Sequence, residues 1–318
     1  MKAVLYSLAL LSLSACASDN NETFFSLQEV QQAKPVELAD SFTVKASDDL
    51  ALAVRSYVPP SPKAVFIFYH GGGAHSGVLY NHLAVGLETK YDIAVYTPDL
   101  RGHGDSQGDR GDSPSKQRVW QDISDMIDFV KSKHPGKKVF LGGHSSGAGL
   151  VLNYSSWEER VPVEGYSFVA PYFGYKSETD KEGSHYQFTD VKTSSFVINS
   201  MSGGLFSGHD KAVQFNYPAD VLNKNPKLVT FNTVNMANAL TPDDPQAQIA
   251  SLASFGLWMG QKDEAFDAQK TVDFVKQNQS KQADSSISLV DNQNHFSIIL
   301  VADDLVGDWL KQRVDNSL

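Results

Sequence analysis

The sequence predicts an α/β fold: a mostly parallel sheet of eight strands, covered by helices on both faces and interrupted by one inserted cap. Short runs of consecutive apolar residues, such as 64–69 and 139–141, alternate along the chain with helix-periodic segments such as 115–132. Continuous apolar strands are typical of parallel sheets that are buried on both faces. The length of 318 residues is sufficient for one such domain with an insertion.

The predicted elements follow this alternation in order. Residues 42–44 and 50–58 alternate apolar and polar side chains, which predicts an antiparallel hairpin at the sheet edge. Further strands are predicted at 64–69, 93–96, 139–141, 166–170, 257–259 and 286–290, and helices at 79–90, 115–132, 146–152, 266–277 and 298–314. Residues 172–251 break the rhythm with Ser, Asn, Thr and aromatic side chains. We predict a cap over a substrate pocket there, with an insertion that only packs as the alternative.

The N-terminus predicts export and lipid attachment. A basic start and an apolar run over 3–13 have the proportions of a secretory signal, and the run is shorter than the roughly 20 residues of a membrane span. Leu13-Ser14-Ala15-Cys16 resembles the lipobox of bacterial lipoproteins. The resemblance implies a signal peptide over 1–15 and lipidation of Cys16. The polar stretch that follows predicts a tether over 16–40, ahead of a folded domain over 41–318. An ordinary signal with a bystander cysteine is the alternative.

The residue directly after the lipobox cysteine is Ala17 rather than Asp. In Gram-negative lipoproteins that difference implies the outer membrane, facing the periplasm. Cys16 is the only cysteine, so no disulfide can form within the chain. A net charge of −10 excludes nucleic acid as an expected partner. The sequence leaves the oligomeric state open.

Residues 143–147 read Gly-His-Ser-Ser-Gly, between an apolar strand and a small-residue helix. Gly-x-Ser-x-Gly in that context is the nucleophile elbow of α/β-hydrolases, where a tight turn presents the serine and leaves no room for side chains at the flanking glycines. Ser145 is therefore the predicted nucleophile. An ordinary glycine-rich turn is the alternative.

A serine nucleophile needs a base and an acid that orients the base. In this fold the acid and then the histidine follow the serine, each just past the end of a strand. Asp263 follows strand 257–259, with Asp267 as the next candidate, while Glu264 is expected to face solvent. His295 follows the last strand and is expected to open the final helix, whereas His144 is expected to point away from the site.

An oxyanion must also be stabilised. His70-Gly71-Gly72-Gly73 ends the strand 64–69 and matches the His-Gly-Gly-Gly type of oxyanion loop. We predict the backbone N–H groups of Gly72 and Ser146 as the two donors, with Gly71 as the alternative to Gly72. A phosphate-binding loop is disfavoured because no Gly-Lys-Ser/Thr follows.

Together with His75-Ser76 and the turn Arg-Gly-His-Gly-Asp-Ser over 101–106, these motifs resemble the monoacylglycerol lipase and lysophospholipase group of serine α/β-hydrolases. The resemblance covers about 40–314 and implies a triad of Ser145, Asp263 and His295 with an oxyanion hole at Gly72 and Ser146. Ala74 and the cap segment depart from the group's pattern.

The sequence thus predicts a lipid-anchored serine hydrolase that cleaves carboxylic esters without a metal or organic cofactor. An acylglycerol, a lysophospholipid or a small soluble ester is the expected substrate. A prolyl-aminopeptidase-like amidase, with Asp180 or Glu182 holding an amine, and a thioesterase are alternatives on the same framework. A binding lipoprotein with an inactive hydrolase domain is a third, which the complete set of site residues disfavours.

Overall fold

A computed structural model describes residues 24–181 and 188–315. The strands are β1 (Ser41–Lys45), β2 (Ala51–Tyr57), β3 (Ala64–Tyr69), β4 (Ile93–Pro98), β5 (Val139–His144), β6 (Gly165–Val169), β7 (Thr189–Val191), β8 (Lys211–Phe215), β9 (Phe231–Thr233), β10 (Ser254–Gly260) and β11 (Asp284–Val290). The helices are α1 (Gln28–Gln32), α2 (Asn81–Tyr91), α3 (Lys116–Lys133), α4 (Ser146–Ser156), α5 (Thr193–Met201), α6 (Ala219–Lys224), α7 (Val234–Leu240), α8 (Pro245–Ser251), α9 (Ala268–Asn278) and α10 (Ala302–Asp315).

Eight of these strands form one sheet in the order β1-β2-β4-β3-β5-β6-β10-β11. The first two strands pair antiparallel, as does β2 with β4, and the remaining neighbours are parallel. Every residue of β3, β4, β5 and β6 is buried, as continuous apolar runs predict. The predicted fold class and its edge hairpin are confirmed.

Local sequence signals explain the flanking helices. Ser115 caps α3, because its side chain accepts a hydrogen bond from the backbone N–H of Arg118 at 3.1 Å. The residues of helical spacing on this element all face the core: Val119, Ile123, Met126, Ile127 and Val130. Parallel strands with such helices on their faces bring the carboxyl ends of β5, β10 and β11 to one edge of the sheet.

The segment 172–251, predicted as one cap, divides into two parts. Strands β7, β8 and β9 form a separate three-stranded sheet, and this sheet with α5 and α6 is the cap proper. Helices α7 and α8 instead pack against α3 and α4. Asn153 on α4 donates to the carbonyl oxygens of Ala239 at 3.1 Å and Thr241 at 2.6 Å, so residues 234–251 belong to the helical layer of the main body.

Part of the predicted tether lies on the domain. Residues 24–40 run over its surface, where Asn81 donates to the carbonyl oxygen of Val36 at 2.8 Å and Tyr57 accepts from the N–H of Ala39 at 3.3 Å. The predicted signal peptide, Cys16 and Glu182 lie outside the described residues. Among the helices of the described ranges, none has the length and apolar character needed to cross a bilayer.

Candidate active site

The turn between β5 and α4 holds Ser145 in a sparsely populated backbone conformation, φ 55° and ψ −124°. Backbone surrounds it closely. A Cβ at Gly143 would lie 2.4 Å from the carbonyl carbon of Gly147, and one at Gly147 would lie 2.4 Å from the carbonyl oxygen of His70. Both flanking glycines are therefore required sterically, and the backbone strain, typically about 1–3 kcal/mol, is held by the packed turn.

Ser145, His295 and Asp263 meet at the carboxyl edge of the sheet. The Nε2 atom of His295 is 3.1 Å from the Oγ atom of Ser145, and its Nδ1 atom is 2.8 Å from the Oδ2 atom of Asp263. The acid is 1% exposed and the histidine 2%. The structure thus brings together the three residues predicted as nucleophile, base and acid, each just past its strand.

The loop after β10 decides between the two candidate acids. The Oδ1 atom of Asp263 accepts hydrogen bonds from the N–H groups of Ala265 at 2.8 Å and Phe266 at 2.9 Å, which leaves Oδ2 for the histidine. Asp267 instead caps α9, accepting from the N–H of Lys270 at 2.9 Å. Asp263 alone of the two contacts His295.

Glu264 is half-buried, whereas the sequence predicts that it faces solvent. Its carboxylate accepts from the backbone N–H of His295 at 3.1 Å and from that of Ser26 at 2.9 Å. On the other side of the histidine, the Oδ1 atom of Asn294 accepts from the N–H groups of Phe296 at 3.1 Å and Ser297 at 2.7 Å. These bonds form a turn ahead of a 3₁₀ segment, so His295 sits on a clamped loop rather than opening the final helix as predicted.

In the glycine loop (residues 70–73), the amides of Gly71 and Gly72 differ in whether they have a hydrogen-bond partner. Gly71 donates its N–H to the hydroxyl of Tyr80 at 3.0 Å, whereas the N–H of Gly72 has no hydrogen-bond partner within the described part of the chain. The N–H of Ser146 lies in the first turn of α4, where helix amides have no intrahelical acceptor. Of the two glycines left open by the sequence, Gly72 is the one with an available donor.

His70 orients that amide. Its Nε2 atom accepts from the N–H of Leu100 at 3.0 Å, so Nδ1 carries the proton and donates to the carbonyl oxygen of Gly71 at 2.8 Å. Burial lowers the pKa of His70, which favours this neutral form. The carbonyl of Gly71 and the N–H of Gly72 share one trans peptide unit, so fixing the first aims the second in the opposite direction.

His144, expected to point away, joins the glycine loop to the base. The hydroxyl of Tyr80 accepts from Gly71 and is 3.1 Å from Nδ1 of His144, while Nε2 of His144 is 2.9 Å from the carbonyl oxygen of His295. Since the amide only donates and the carbonyl only accepts, the hydroxyl donates to Nδ1 and Nε2–H donates to His295. Burial holds the pKa of His144 well below its usual value.

An aromatic cover lies over these groups. Phe25 stacks on the ring of His295, Phe188 contacts Phe25, and Phe215 lies beside Gly72. The hydroxyl of Tyr217 donates to the carbonyl oxygen of Gly72 at 3.0 Å. The aromatic content of 172–251 signals the cap residues. Phe25 carries no signal that separates it from a linker residue.

The turn over 101–106 has a structural role. Arg101 makes a two-pronged ion pair with Asp122, at 2.6 and 2.7 Å, and both side chains are buried. Asp99 accepts from the N–H groups of Ser76 at 2.6 Å and Asp105 at 2.8 Å. These bonds secure the loops that flank the glycine loop.

Comparisons with known proteins agree with this architecture. The model of the Hydrolase_4 family, described as "Serine aminopeptidase, S33", matches residues 60–298. The chain is 30% identical to the monoglyceride lipase of Rattus norvegicus over 159 residues, which is 50% of each protein. It is 32% identical to the uncharacterized protein YnbC of Escherichia coli over 169 residues, 52% of this chain and 28% of that one.

The matched stretch thus spans half or less of these relatives. A solved structure of a soluble variant of monoglyceride lipase from Saccharomyces cerevisiae, in complex with a substrate analog, superposes with a TM-score of 0.64 at 16% identity, covering 92% of this chain and 97% of that one. The family match covers most of the chain, and the chain belongs to the Hydrolase_4 family. The predicted resemblance to monoacylglycerol lipases and the α/β-hydrolase fold are confirmed.

Proposed function

We propose that this protein is a serine hydrolase that cleaves carboxylic esters through an acyl-enzyme on Ser145. The Nε2 atom of His295 takes the hydroxyl proton as Oγ bonds to the ester carbon. The resulting oxyanion is held by the N–H groups of Gly72 and Ser146. His295 then gives the proton to the departing alkoxide as the carbon–oxygen bond breaks.

Water completes the cycle. His295 takes a proton from the water while the water oxygen bonds to the acyl carbon. The bond between the acyl carbon and Oγ then breaks as His295 returns a proton to Ser145. Asp263 remains ionised and orients the imidazole. One observation carries the proposal: the series Ser145–His295–Asp263 with contacts of 3.1 and 2.8 Å, beside an unpaired amide at Gly72.

The substrate we propose is an ester with an apolar acyl group, such as an acylglycerol. Relatives that carry the name monoglyceride lipase support this class. The aromatic cover supports it as well, because Phe215 lies beside Gly72 and contacts Phe188, so the cap places apolar rings next to the glycine loop. A polar or charged acyl group would lose hydration there without gaining partners.

We also propose, from the sequence alone, that the mature protein is attached by lipid at Cys16 to the bacterial outer membrane, facing the periplasm. The lipobox-like Leu13–Cys16 stretch and Ala17 support this placement. Multiple acyl chains, at about 0.8 kcal/mol per buried CH₂, would make such an anchorage stable. We expect metabolic labelling with an alkyne fatty acid to mark the wild type and to be lost in Cys16→Ser. Labelling of both would contradict it.

A second candidate is an aminopeptidase, which the family description favours. Asp180 pairs across a backbone bridge with Phe266, whose ring packs edge-on against His295 at 5.5 Å, so one carboxylate lies near the site. An amine-recognising enzyme would cleave an aminoacyl amide with a free N-terminus and reject the acetylated form. Asp180→Asn would abolish that preference.

Fluorophosphonate labelling tests the main proposal. We expect the wild type to label and Ser145→Ala not to label, with Ser146→Ala as a matched control that keeps its backbone N–H. A panel of 4-nitrophenyl esters with increasing acyl length then tests the apolar substrate, and activity should rise with chain length. Equal labelling of wild type and Ser145→Ala would remove Ser145 from the mechanism. A flat profile would contradict the acyl preference.

A further inference from the structure

The N-terminal strap (residues 24–32) lies directly on the proposed base. Phe25 is 8% exposed, and its ring stacks on the imidazole of His295 with centroids 5.0 Å apart and planes 20° apart. Phe296 contacts Phe25 edge-on with centroids 4.8 Å apart, and Phe188 from the cap contacts Phe25 with centroids 5.0 Å apart. The ring of Phe25 therefore closes one face of the imidazole and touches the cap.

Polar contacts fix the strap to the loop of the base. The N–H of Ser26 donates to the same Glu264 carboxylate that accepts from the N–H of His295. The side-chain amide of Asn294 donates to the carbonyl oxygen of Ser26 at 3.2 Å and to the carboxylate of Glu29 at 3.2 Å. Since these partners flank His295 on both sides, the strap and the base are held by one set of bonds.

The chemistry of ester cleavage determines which part of the substrate lies next to His295 and Phe25. The base must give its proton to the departing alcohol oxygen, so that oxygen comes within hydrogen-bond distance of Nε2. The acyl oxygen lies instead at the amides of Gly72 and Ser146. Phe25, stacked on the imidazole, therefore borders the alcohol side of the site. Rings stacked at this distance leave no room for further atoms between them.

We propose that Phe25 is a specificity-determining residue that limits the size of the alcohol group, an inference that rests on the proposed ester hydrolysis. The strap supplies this wall together with Phe296 and Phe188, which contact Phe25. Shortening the side chain opens an apolar space of about one ring beside the alcohol oxygen, and apolar spaces of that size accept aromatic groups. The acyl side is unaffected, because it lies toward the glycine loop.

Two ester series separate these sides. The first holds the acyl group as acetate and varies the alcohol from methanol to phenol to 2-naphthol. The second holds phenol and varies the acyl chain. In Phe25→Ala we expect the kcat/KM ratio of naphthyl to methyl acetate to rise by about tenfold or more relative to wild type, a size typical of pocket discrimination. The acyl-length profile should keep its shape. Comparing variants on the same ester cancels the intrinsic reactivity of each alcohol.

Two further variants serve as a second perturbation of the strap and as a control. Ser26→Pro keeps all the aromatic residues but removes the N–H that donates to Glu264, so it should loosen the strap and shift the alcohol profile in the same direction as Phe25→Ala. Phe206→Ala removes an exposed ring on the cap, 66% accessible, and should shift neither profile. Phe25→Leu serves if the alanine variant fails to fold, as judged by circular dichroism.

The outcomes are distinct. Alcohol profiles that stay parallel in wild type and Phe25→Ala overturn the inference, as does an equal loss on every ester in a folded variant, because that marks a structural role. A change in the acyl profile alone also overturns it. Failure of the proposed function looks different, because Ser145 would then neither label nor hydrolyse any ester in the wild type.

Discussion

The strand-end site (Ser145, Asp263, His295 and the glycine loop) and the roof (the strap with residues 188–233) are held by different forces. In the strand-end site, backbone groups fix each side chain: two amides hold the carboxylate of Asp263, and the Ser145 turn is enclosed by main chain. In the roof, side-chain ring contacts and a few hydrogen bonds join the strap and the cap to the site, and several large apolar side chains are exposed: Val191, Val197, Ile198, Met201, Leu205 and Phe206.

This difference teaches where precision and adaptability lie in the molecule. Backbone contacts admit little variation, since a shift of a few tenths of an ångström already produces a clash. Aromatic contacts can be rearranged at modest cost, about 0.5–1.5 kcal/mol per pair. We expect changes in the strand-end site to remove chemistry or folding, and changes in the roof to alter preference.

Removing the base should give the largest effect. His295→Ala leaves Ser145 without a proton acceptor, and turnover should fall by several orders of magnitude, on the order of 10⁶ where a triad acts as a unit. The roof variant Phe206→Ala should change turnover of a soluble ester by less than about twofold. Steady-state kinetics with circular dichroism checks both. A His295→Ala variant that retains a tenth of wild-type turnover would break the comparison.

The two acidic candidates should differ almost as much. Asp263→Asn keeps the shape but not the charge that orients the imidazole, and kcat should fall by about 10⁴-fold. Asp267→Asn keeps a good helix cap and should change kcat by less than about twofold. Kinetics of the matched pair decides the assignment. Greater damage from the Asp267 variant would show that the wrong carboxylate has been identified.

Glycine substitutions compare the two regions in stability. Gly143→Ala places a methyl group 2.4 Å from the backbone of Gly147 and should cost about 3 kcal/mol or more of unfolding free energy. Gly203 in the roof has a positive φ of 62° and open space around its Cβ position, so its alanine variant should cost only about 1–2 kcal/mol. Urea unfolding measures both. Similar losses would contradict the distinction.

A last expected effect concerns pH. Burial lowers the pKa of His103 to about 3 and that of His75 to about 4, so the unfolded chain binds protons that the folded chain does not. The free energy of unfolding should therefore fall as pH drops below about 6.5. His103→Gln should remove about 2–3 kcal/mol of the loss between pH 6.5 and 4.5. Unfolding curves at both pH values test this, and an unchanged slope would contradict it.

The sequence predicts the strand-end site because its signals are local. A glycine on each side of Ser145, and an acid and a histidine after apolar strands, each depend on one strand and its following turn. The sheet follows for the same reason. Strand boundaries agree within a few residues, as at 93–96 against Ile93–Pro98.

The structure of the roof could not be predicted from the sequence, because its contacts join distant parts of the chain. Phe25 and His295 are 270 positions apart, and no pattern near Phe25 distinguishes a strap from a linker. Glu264 follows Asp263 in a polar loop, and only the folded positions of Ser26 and His295 explain why its carboxylate binds their N–H groups. The division of 172–251 likewise depends on the packing of α7 and α8 against the main body.

The bonds from Gly71 through Tyr80 and His144 to His295 connect two loops that arise from different ends of the chain. A glycine loop from another hydrolase that places its second amide elsewhere would leave the hydroxyl of Tyr80 without this donor and disturb the bonds that reach the carbonyl of His295. Tyr80 and His144 therefore have to be exchanged with that loop as one cassette. A chimaera that carries the loop alone would inherit a misaligned proton acceptor.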